Sequence, residues 1–176
     1  MDKKVVALQA PVSDRESLTL TPGDHSKHLS HAKSCMDQNK GDEMMPRSAF
    51  WAPITASRYL SLFDVNGDDD FFSSDLTDEE LVDRLGHVGK CCTHGLQLIA
   101  AFSKKDEYVP ESVDKDVLLK RLVSAMNANI DGEEKMQGGR NVARGLMLEN
   151  GNHNLSQGEG DAKEFVDAVG SLLKLN

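Results

Sequence analysis

The sequence predicts an α/β fold, a small parallel sheet with helices packed on it, and three observations carry that expectation. Three short apolar runs, Val5–Ala10, Leu96–Ser103 and Val142–Glu149, have the length and continuity of parallel strands buried on both faces. Amphipathic helical patterns separate or follow these runs. The repeated order of strand then helix reads as right-handed crossovers between strands of one sheet.

The first strand, Val5–Ala10, is interrupted by Gln9 and stopped by Pro11. A stretch from Pro11 to Gly95, about 85 residues, then separates it from the second strand. A crossover rarely needs that length, so residues 11–95 are expected to hold a helical insertion of the kind that forms a lid over a site. Within it, Thr77-Asp78-Glu79-Glu80 is a capping box in which the Thr hydroxyl and the Glu80 carboxylate satisfy orphan amides of a first helical turn. Leu81, Leu85 and Val88 come next at one-face spacing, with Gly86 and Gly89 as a stop. After the second strand, Leu118, Leu122 and Ala125 mark a helix beginning near Asp114. Residues 128–140, rich in Gly, Glu and Gln, read as a surface loop before the third strand. Phe165, Val166, Val169, Leu172 and Leu173 then give the clearest helical periodicity in the chain. With 176 residues and 39% hydrophobic content, the whole chain, 1–176, is expected to form one unit with a real core.

Charge and composition narrow the function classes. The net charge of −9 and pI near 5.1 come without any Lys/Arg cluster to displace counterions, so nucleic acid is not expected as a partner. The apolar run after Lys3 and Lys4 is too short for a signal segment or a membrane span, so a cytoplasmic protein without membrane partners is expected. Three cysteines, two of them the adjacent Cys91 and Cys92, do not make a disulfide framework and fit a reducing compartment. Both are expected to be buried beside the second strand. No cofactor is expected.

The residues best placed for chemistry are Asp106 and His153, each just past the carboxyl end of an expected strand, where open α/β sheets place their sites. An Asp there can accept the imidazole Nδ1 proton and so fix the tautomer that leaves Nε2 ready to take a proton from a nucleophile. An acid followed by a His also matches the chain order of one class of serine triads. A plainer alternative is a surface Asp in a turn and a solvated His in a Gly/Asn-rich loop. No Gly-x-Ser-x-Gly occurs in the 176 residues. Ser13, just after the first strand, lacks the flanking glycines of such an elbow and is expected to cap or brace its loop together with Asp14.

Three further groups suggest sites with equally ordinary readings. Asp64, Asn66, Asp68, Asp70 and Asp75 fall at positions 1, 3, 5, 7 and 12 of a calcium loop, but Asp69 stands where glycine makes the turn and Asp75 where a bidentate Glu belongs. The better reading is a polar loop whose carboxylates cap the helix at Thr77. His25, His28, His31 and Cys35 are spaced to align metal ligands on a helix, yet Leu29, Ala32 and Met36 share the segment and an ordinary surface helix explains it as well. Phe50, Trp51, Ile54, Tyr59, Leu60, Phe71 and Phe72 gather in the insertion, where they line an acyl pocket or pack a lid core.

Six ordered motifs carry a resemblance. They are Leu8-Gln9-Ala10-Pro11-Val12-Ser13-Asp14-Arg15-Glu16, Met45-Pro46-Arg47, Pro53-Ile54-Thr55-Ala56-Ser57-Arg58-Tyr59, the run from Gly67 to Leu76, Asp106-Glu107-Tyr108-Val109-Pro110, and Gly151-Asn152-His153-Asn154-Leu155-Ser156. Together they resemble, over nearly the whole chain, a family of plant and fungal α/β-hydrolases that includes fungal esterases acting on fusarinine-type siderophores. The resemblance implies a partial α/β-hydrolase fold, of the carboxyl-terminal portion only, with Asp106 as triad acid and His153 as triad base. It also implies that the nucleophile elbow and oxyanion hole lie ahead of the equivalent of Val5–Ala10. The expectation is therefore the carboxyl-terminal part of a serine ester hydrolase, inactive by itself, whose ligand would be a small ester or acyl compound. The alternative is a non-catalytic binding or scaffolding protein using the lid pocket or the exposed edge of the first strand, an edge that predicts self-association.

Overall fold

The parallel sheet is present, in the order β1-β2-β3, with β1 at Lys4–Gln9, β2 at Leu96–Ser103 and β3 at Ala143–Leu148. It belongs to a computed structural model that describes residues 4–21, 23–130 and 141–174. Gln9 pairs with Ala101 and Ser103 with Leu148, so the three strands end at the same edge within a few residues of one another. Position in the sheet decides burial. Central β2 is buried from Leu98 to Ser103, as a continuous apolar run requires, whereas β1 and β3, expected to be buried on both faces, are not. Among the described residues each has a strand on one side only, and Val6 of β1 is 39% exposed.

The chain divides into two compact units, residues 1–12 with 74–176, and Ser13–Ser73. The sheet-bearing unit thus takes in residues 74–95, which the sequence placed in the excursion. Its helices are α4 (Asp78–Leu85), α5 (Lys115–Met126) and α6 (Asp161–Lys174). The capping box starts α4: the Thr77 hydroxyl accepts from the Glu80 amide at 3.2 Å and the Glu80 carboxylate accepts from the Thr77 amide at 2.7 Å. Arg121 of α5 holds the approach to α4, donating to Asp78 at 2.7 Å and to the carbonyls of Ser74, at 2.9 Å, and Leu76. Leu118, Leu119 and Leu122 bury the inner face of α5, each contributing about 1.5–3 kcal/mol. At its end Asn127 accepts from the Ala143 amide at 3.0 Å and donates to the Ala143 carbonyl at 2.9 Å, fixing where β3 begins.

Helix α6 departs from its expected stripe. Leu172 is buried, but Val166 and Leu173 are 65% and 61% exposed, because the stripe is wider than the face the sheet covers. Cys91, on the 3-10 turn Gly89–His94, is half-exposed instead of buried, and its thiol lies against the His87 carbonyl at 3.7 Å. The expected loop at 128–140 lies largely outside the described residues, as does the Cys92 side chain.

The unit Ser13–Ser73 contains α1 (Asp14–Leu18), α2 (His25–Asp37) and α3 (Ala56–Phe63), packed around Ala32, Cys35, Met45, Ile54, Tyr59 and Phe63. Tyr59 and Phe63 meet at 4.7 Å between ring centroids and Phe50 packs on Phe63 at 5.5 Å, so these aromatics serve this core. Trp51 is 85% exposed.

Candidate active site

Two loops, one leaving the carboxyl end of β2 and one that of β3, build the site. β2 ends at Ser103, and the chain turns at once, the Asp106 amide donating to the Ser103 carbonyl at 3.1 Å. The Asp106 carboxylate is fully buried and accepts from the Tyr108 amide at 2.9 Å. Lys115, in the first turn of α5, braces the same turn through the carbonyls of Lys104, at 2.8 Å, and Asp106, at 3.1 Å.

β3 ends at Leu148 and opens into a Gly/Asn-rich loop that folds back on itself. Asp161, the first residue of α6 and itself buried, accepts from the amides of Asn150 at 2.8 Å and Gly151 at 2.5 Å. Gly151 sits close to its neighbours: a Cβ there would lie 2.8 Å from the end of the Leu155 side chain and 3.1 Å from the Ser103 hydroxyl, so a larger residue would require those side chains to shift. Gly158, at φ +94°, is constrained both by its backbone and by its approach to Asn150, 2.6 Å from where its Cβ would be. The Asn152 side chain accepts from the Gln157 amide at 3.0 Å, and Leu155 takes a left-handed φ of 57°, uncommon for a branched side chain.

This loop brings His153 to Asp106. Its Nδ1 lies 3.0 Å from one carboxylate oxygen and 3.2 Å from the other, across 47 residues of sequence. An ionised carboxylate is an acceptor only, so opposite it a neutral imidazole carries its proton on Nδ1 and keeps a lone pair on Nε2. The His153 side chain is one-third exposed. The Tyr108 ring meets the imidazole edge-on at 4.6 Å. The His153 peptide is held at both ends, its amide donating to the Glu107 carboxylate at 2.9 Å and its carbonyl accepting from the Gln9 side chain. The hydrogen bonds from the His153 amide and from its own amide hold Glu107 below the usual carboxylate range.

The structure thus joins the two residues the sequence singled out, and adds Glu107, Gln9, Tyr108 and Asp161 around them. Spacing gave no sign of these four. Gln9 alone stands out in sequence, as a polar residue breaking an apolar run.

The other sequence-derived groups resolve differently. Ser13 caps α1, accepting from the Glu16 amide at 3.0 Å, and its hydroxyl lies 2.6 Å from that of Ser73. Ser73 donates to Asp70 at 2.5 Å, and Asp70 pairs with Arg15 at 2.8 Å, a buried polar chain through which Ser13 braces the loop, while Asp14 is the first residue of α1. At Thr77 the reciprocal bonds of the cap come from Thr77 and Glu80. In the acidic loop Asp64 pairs with Lys33 at 2.9 Å and Asp69 with Arg58 and Ser61. His25 meets the Thr21 carbonyl at 3.0 Å, His28 the Ser48 hydroxyl at 3.1 Å, and His31 the Cys35 thiol at 3.8 Å. Among the described residues, no three His, Cys, Asp or Glu side chains converge as a metal site, and no helix is long and apolar enough to cross a membrane. A cavity of about 720 Å³ between α4, α5 and β3 is lined by Val82, Leu119, Val123, Gly145 and Met147 among others, and neither Asp106 nor His153 borders it.

Known proteins are similar to this chain in sequence and in fold. Residues 3–174 match the family model described as Protein of unknown function (DUF1749). A UPF0613 protein of Schizosaccharomyces pombe is 38% identical over 64% of this chain and 39% of its own length. A protein named fusarinine C esterase sidJ, from Aspergillus fumigatus, is 32% identical over 69% of this chain and 42% of its own. The solved structure of siderophore hydrolase EstB from Aspergillus fumigatus superposes with a TM-score of 0.68 at 27% identity, covering 96% of this chain and 57% of that one. The chain therefore spans about two-fifths of the length of the curated relatives it matches. Its three parallel strands and flanking helices are part of an α/β-hydrolase fold. On the match of residues 3–174, the chain belongs to the DUF1749 family, and its relatives include fungal siderophore esterases.

Proposed function

We propose that this chain supplies the acid and base of a serine ester hydrolase, with Asp106 orienting the imidazole and His153 acting first as general base and then as general acid. The observation that carries the reading is the 3.0 Å contact between His153 Nδ1 and the buried Asp106 carboxylate at the carboxyl edge of the sheet. In the reaction, a Ser hydroxyl loses its proton to Nε2 and attacks the ester carbonyl, the imidazolium returns that proton to the departing alcohol, and water repeats the cycle on the acyl-enzyme. The negative charge of Asp106 favours the imidazolium in both halves.

The 176 residues hold no Gly-x-Ser-x-Gly, so the nucleophile is one they do not carry, and taken by themselves they should not turn over. The relatives named as a fusarinine C esterase and a siderophore hydrolase make siderophore esters the substrates to try first. Residual catalysis in a triad enzyme without its Ser depends largely on the oxyanion hole, so the expected rate here is that of buffer.

Two measurements test this. Long-range ¹H–¹⁵N spectra of the chain should find His153 as the Nδ1–H tautomer and lose that preference in Asp106→Asn. An Nε2–H tautomer would refute the acid–base assignment. Incubation with a fluorophosphonate probe should leave the chain unlabelled, and labelling that disappears in Ser13→Ala would refute the claim that the nucleophile lies elsewhere.

A second reading, a binding or scaffolding role without catalysis, is favoured by the open edge of β1, where Val6 is exposed and no strand pairs beyond it among the described residues.

A further inference from the structure

We propose that Glu107 is a positioning residue for the His153 imidazole, acting with Gln9 by fixing the peptide that carries the ring. The proposal rests on the reading of Asp106 and His153 as acid and base. Asp106 contacts one atom of the ring, and one contact does not fix a side chain whose backbone can move. The loop around His153 is not regular structure and carries a left-handed Leu155, so it does not supply partners for the His153 peptide itself. Those partners come from the other two strands. The amide donates to Glu107 at 2.9 Å, in the turn after β2, and the carbonyl accepts from Gln9, the last residue of β1.

Glu107 is adjacent to Asp106, and that adjacency gives the pair its geometry. One turn presents two carboxylates, one to the ring at 3.0 Å and one to the main-chain amide of the same residue at 2.9 Å. The turn is itself held by the Tyr108 amide and by Lys115, so both carboxylates share one rigid frame. Tyr108 bounds the ring on its edge at 4.6 Å between centroids. Charge-assisted bonds to a backbone N–H are stronger than neutral ones, and the depression of the Glu107 carboxyl by this amide is consistent with such a bond. The Glu107 carboxylate bonds the main-chain amide while Asp106 holds Nδ1, so its hydrogen bond acts through the backbone, and its charge interacts with the imidazole only as a smaller Coulombic contribution.

The test uses the full ¹⁵N-labelled chain. Glu107→Gln keeps an acceptor for the amide and is expected to retain the Nδ1–H tautomer with a protected ring proton. Glu107→Ala removes the acceptor and is expected to mix the tautomers and to speed exchange of the Nδ1 proton about tenfold, what one net hydrogen bond is worth. Glu107 is exposed, so its truncation leaves the core intact. A Glu107→Ala variant whose Nδ1 proton is as protected as in the parent chain overturns the proposal. Asp106→Asn separates the two ideas: if it too leaves the tautomer unchanged, the acid–base reading itself has failed. If it shifts the tautomer while Glu107→Ala does not, only the positioning role has. A further measurement needs no variant. The His153 amide proton should move with the Glu107 carboxyl as it titrates, with Asp106 and the imidazole monitored in the same spectra to separate their steps. An amide that does not move through that titration also overturns the proposal.

Discussion

Replacing Asp161 by Ala should loosen the His153 loop at its root, at a cost the structure allows to be worked out. One buried carboxylate oxygen accepts from two amides, those of Asn150 at 2.8 Å and Gly151 at 2.5 Å. A hydrogen bond to a charged group contributes about 1.5–3 kcal/mol, and a buried amide left without a partner costs about 1–3 kcal/mol. The two bonds share one oxygen and Asn150 is exposed, so their sum is less than twice either. Asp161 is also the first residue of α6, where a negative charge adds about 0.3–1 kcal/mol by interaction with the helix dipole. The total for Asp161→Ala is about 3–5 kcal/mol, a large part of the roughly 5–15 kcal/mol that holds an ordinary domain folded. At about 2–4 °C per kcal/mol for a chain of this size, the melting temperature should fall by about 10 °C. Asp161→Asn places a carbonyl oxygen where the carboxylate oxygen was and should cost only about 1–2 kcal/mol. Urea unfolding monitored by far-ultraviolet circular dichroism measures both. An Ala variant losing under about 1 kcal/mol, or an Asn variant as damaged as the Ala variant, would refute the role given to this carboxylate.

Three other outcomes are expected. Arg15→Ala leaves the Asp70 side chain, 1% exposed, with a buried charge and without the 2.8 Å partner, and should destabilise the protein by about 3 kcal/mol, with Asp70→Asn in the same background restoring part of the loss in urea melts. The Glu80 carboxyl is lowered by the hydrogen bond from the Thr77 amide, so the capping box is fully formed above the ordinary glutamate range and is lost as pH falls through the lowered value. Hydrogen exchange at the Thr77 amide, corrected for intrinsic rate, should therefore gain protection on raising the pH and lose it only in that acid window. The open edge of β1 should make the chain self-associate with rising concentration, and Val6→Lys should suppress this. Light scattering that shows a monomer at every concentration would count against an available edge.

Local rules were enough for the parts of the fold that depend on local chemistry. The Thr77 and Glu80 box is set within four residues and was legible as such, and so was the start of a helix near Asp114, whose carboxylate accepts from the Val117 amide at 3.0 Å. The apolar continuity of Leu96–Ser103 identified β2 from end to end. The same continuity misled for the burial of β1 and β3, because a run of apolar residues records only that a strand can be covered, not how many neighbours cover it. Val166 and Leu173 fail for the same reason: the helical period locates a stripe but not its width against the sheet. In the site, Asp106 and His153 were legible from their residue types and from their place after strands. The roles of Glu107 and Gln9 were not, even though Gln9 stands out as a polar break in an apolar run, since their partners are 46 and 144 positions away and their chemistry is directed at a main-chain amide and carbonyl, which every residue has.

The geometry of the acid–base pair is therefore a property of the register of the sheet as much as of the two residues. Gln9 stands opposite Ala101 and Ser103 opposite Leu148, which fixes the starting point of each loop relative to the others. A slip of one residue would displace a strand by about 3.3 Å along its axis and turn its side chains to the opposite face. Gln9 would then no longer reach the His153 carbonyl, and a slip between β2 and β3 would separate Asp106 from His153 by more than a hydrogen bond can span. Features distant from the site hold that register. Asn127 clamps both main-chain groups of Ala143 at the start of β3, and Gly145 admits Leu119 of α5 so closely that a Cβ would stand 3.1 Å from its side chain. Changes at Asn127 or Gly145 should thus disturb the His153 imidazole without touching it, whereas changes on the solvent face of α6 should not.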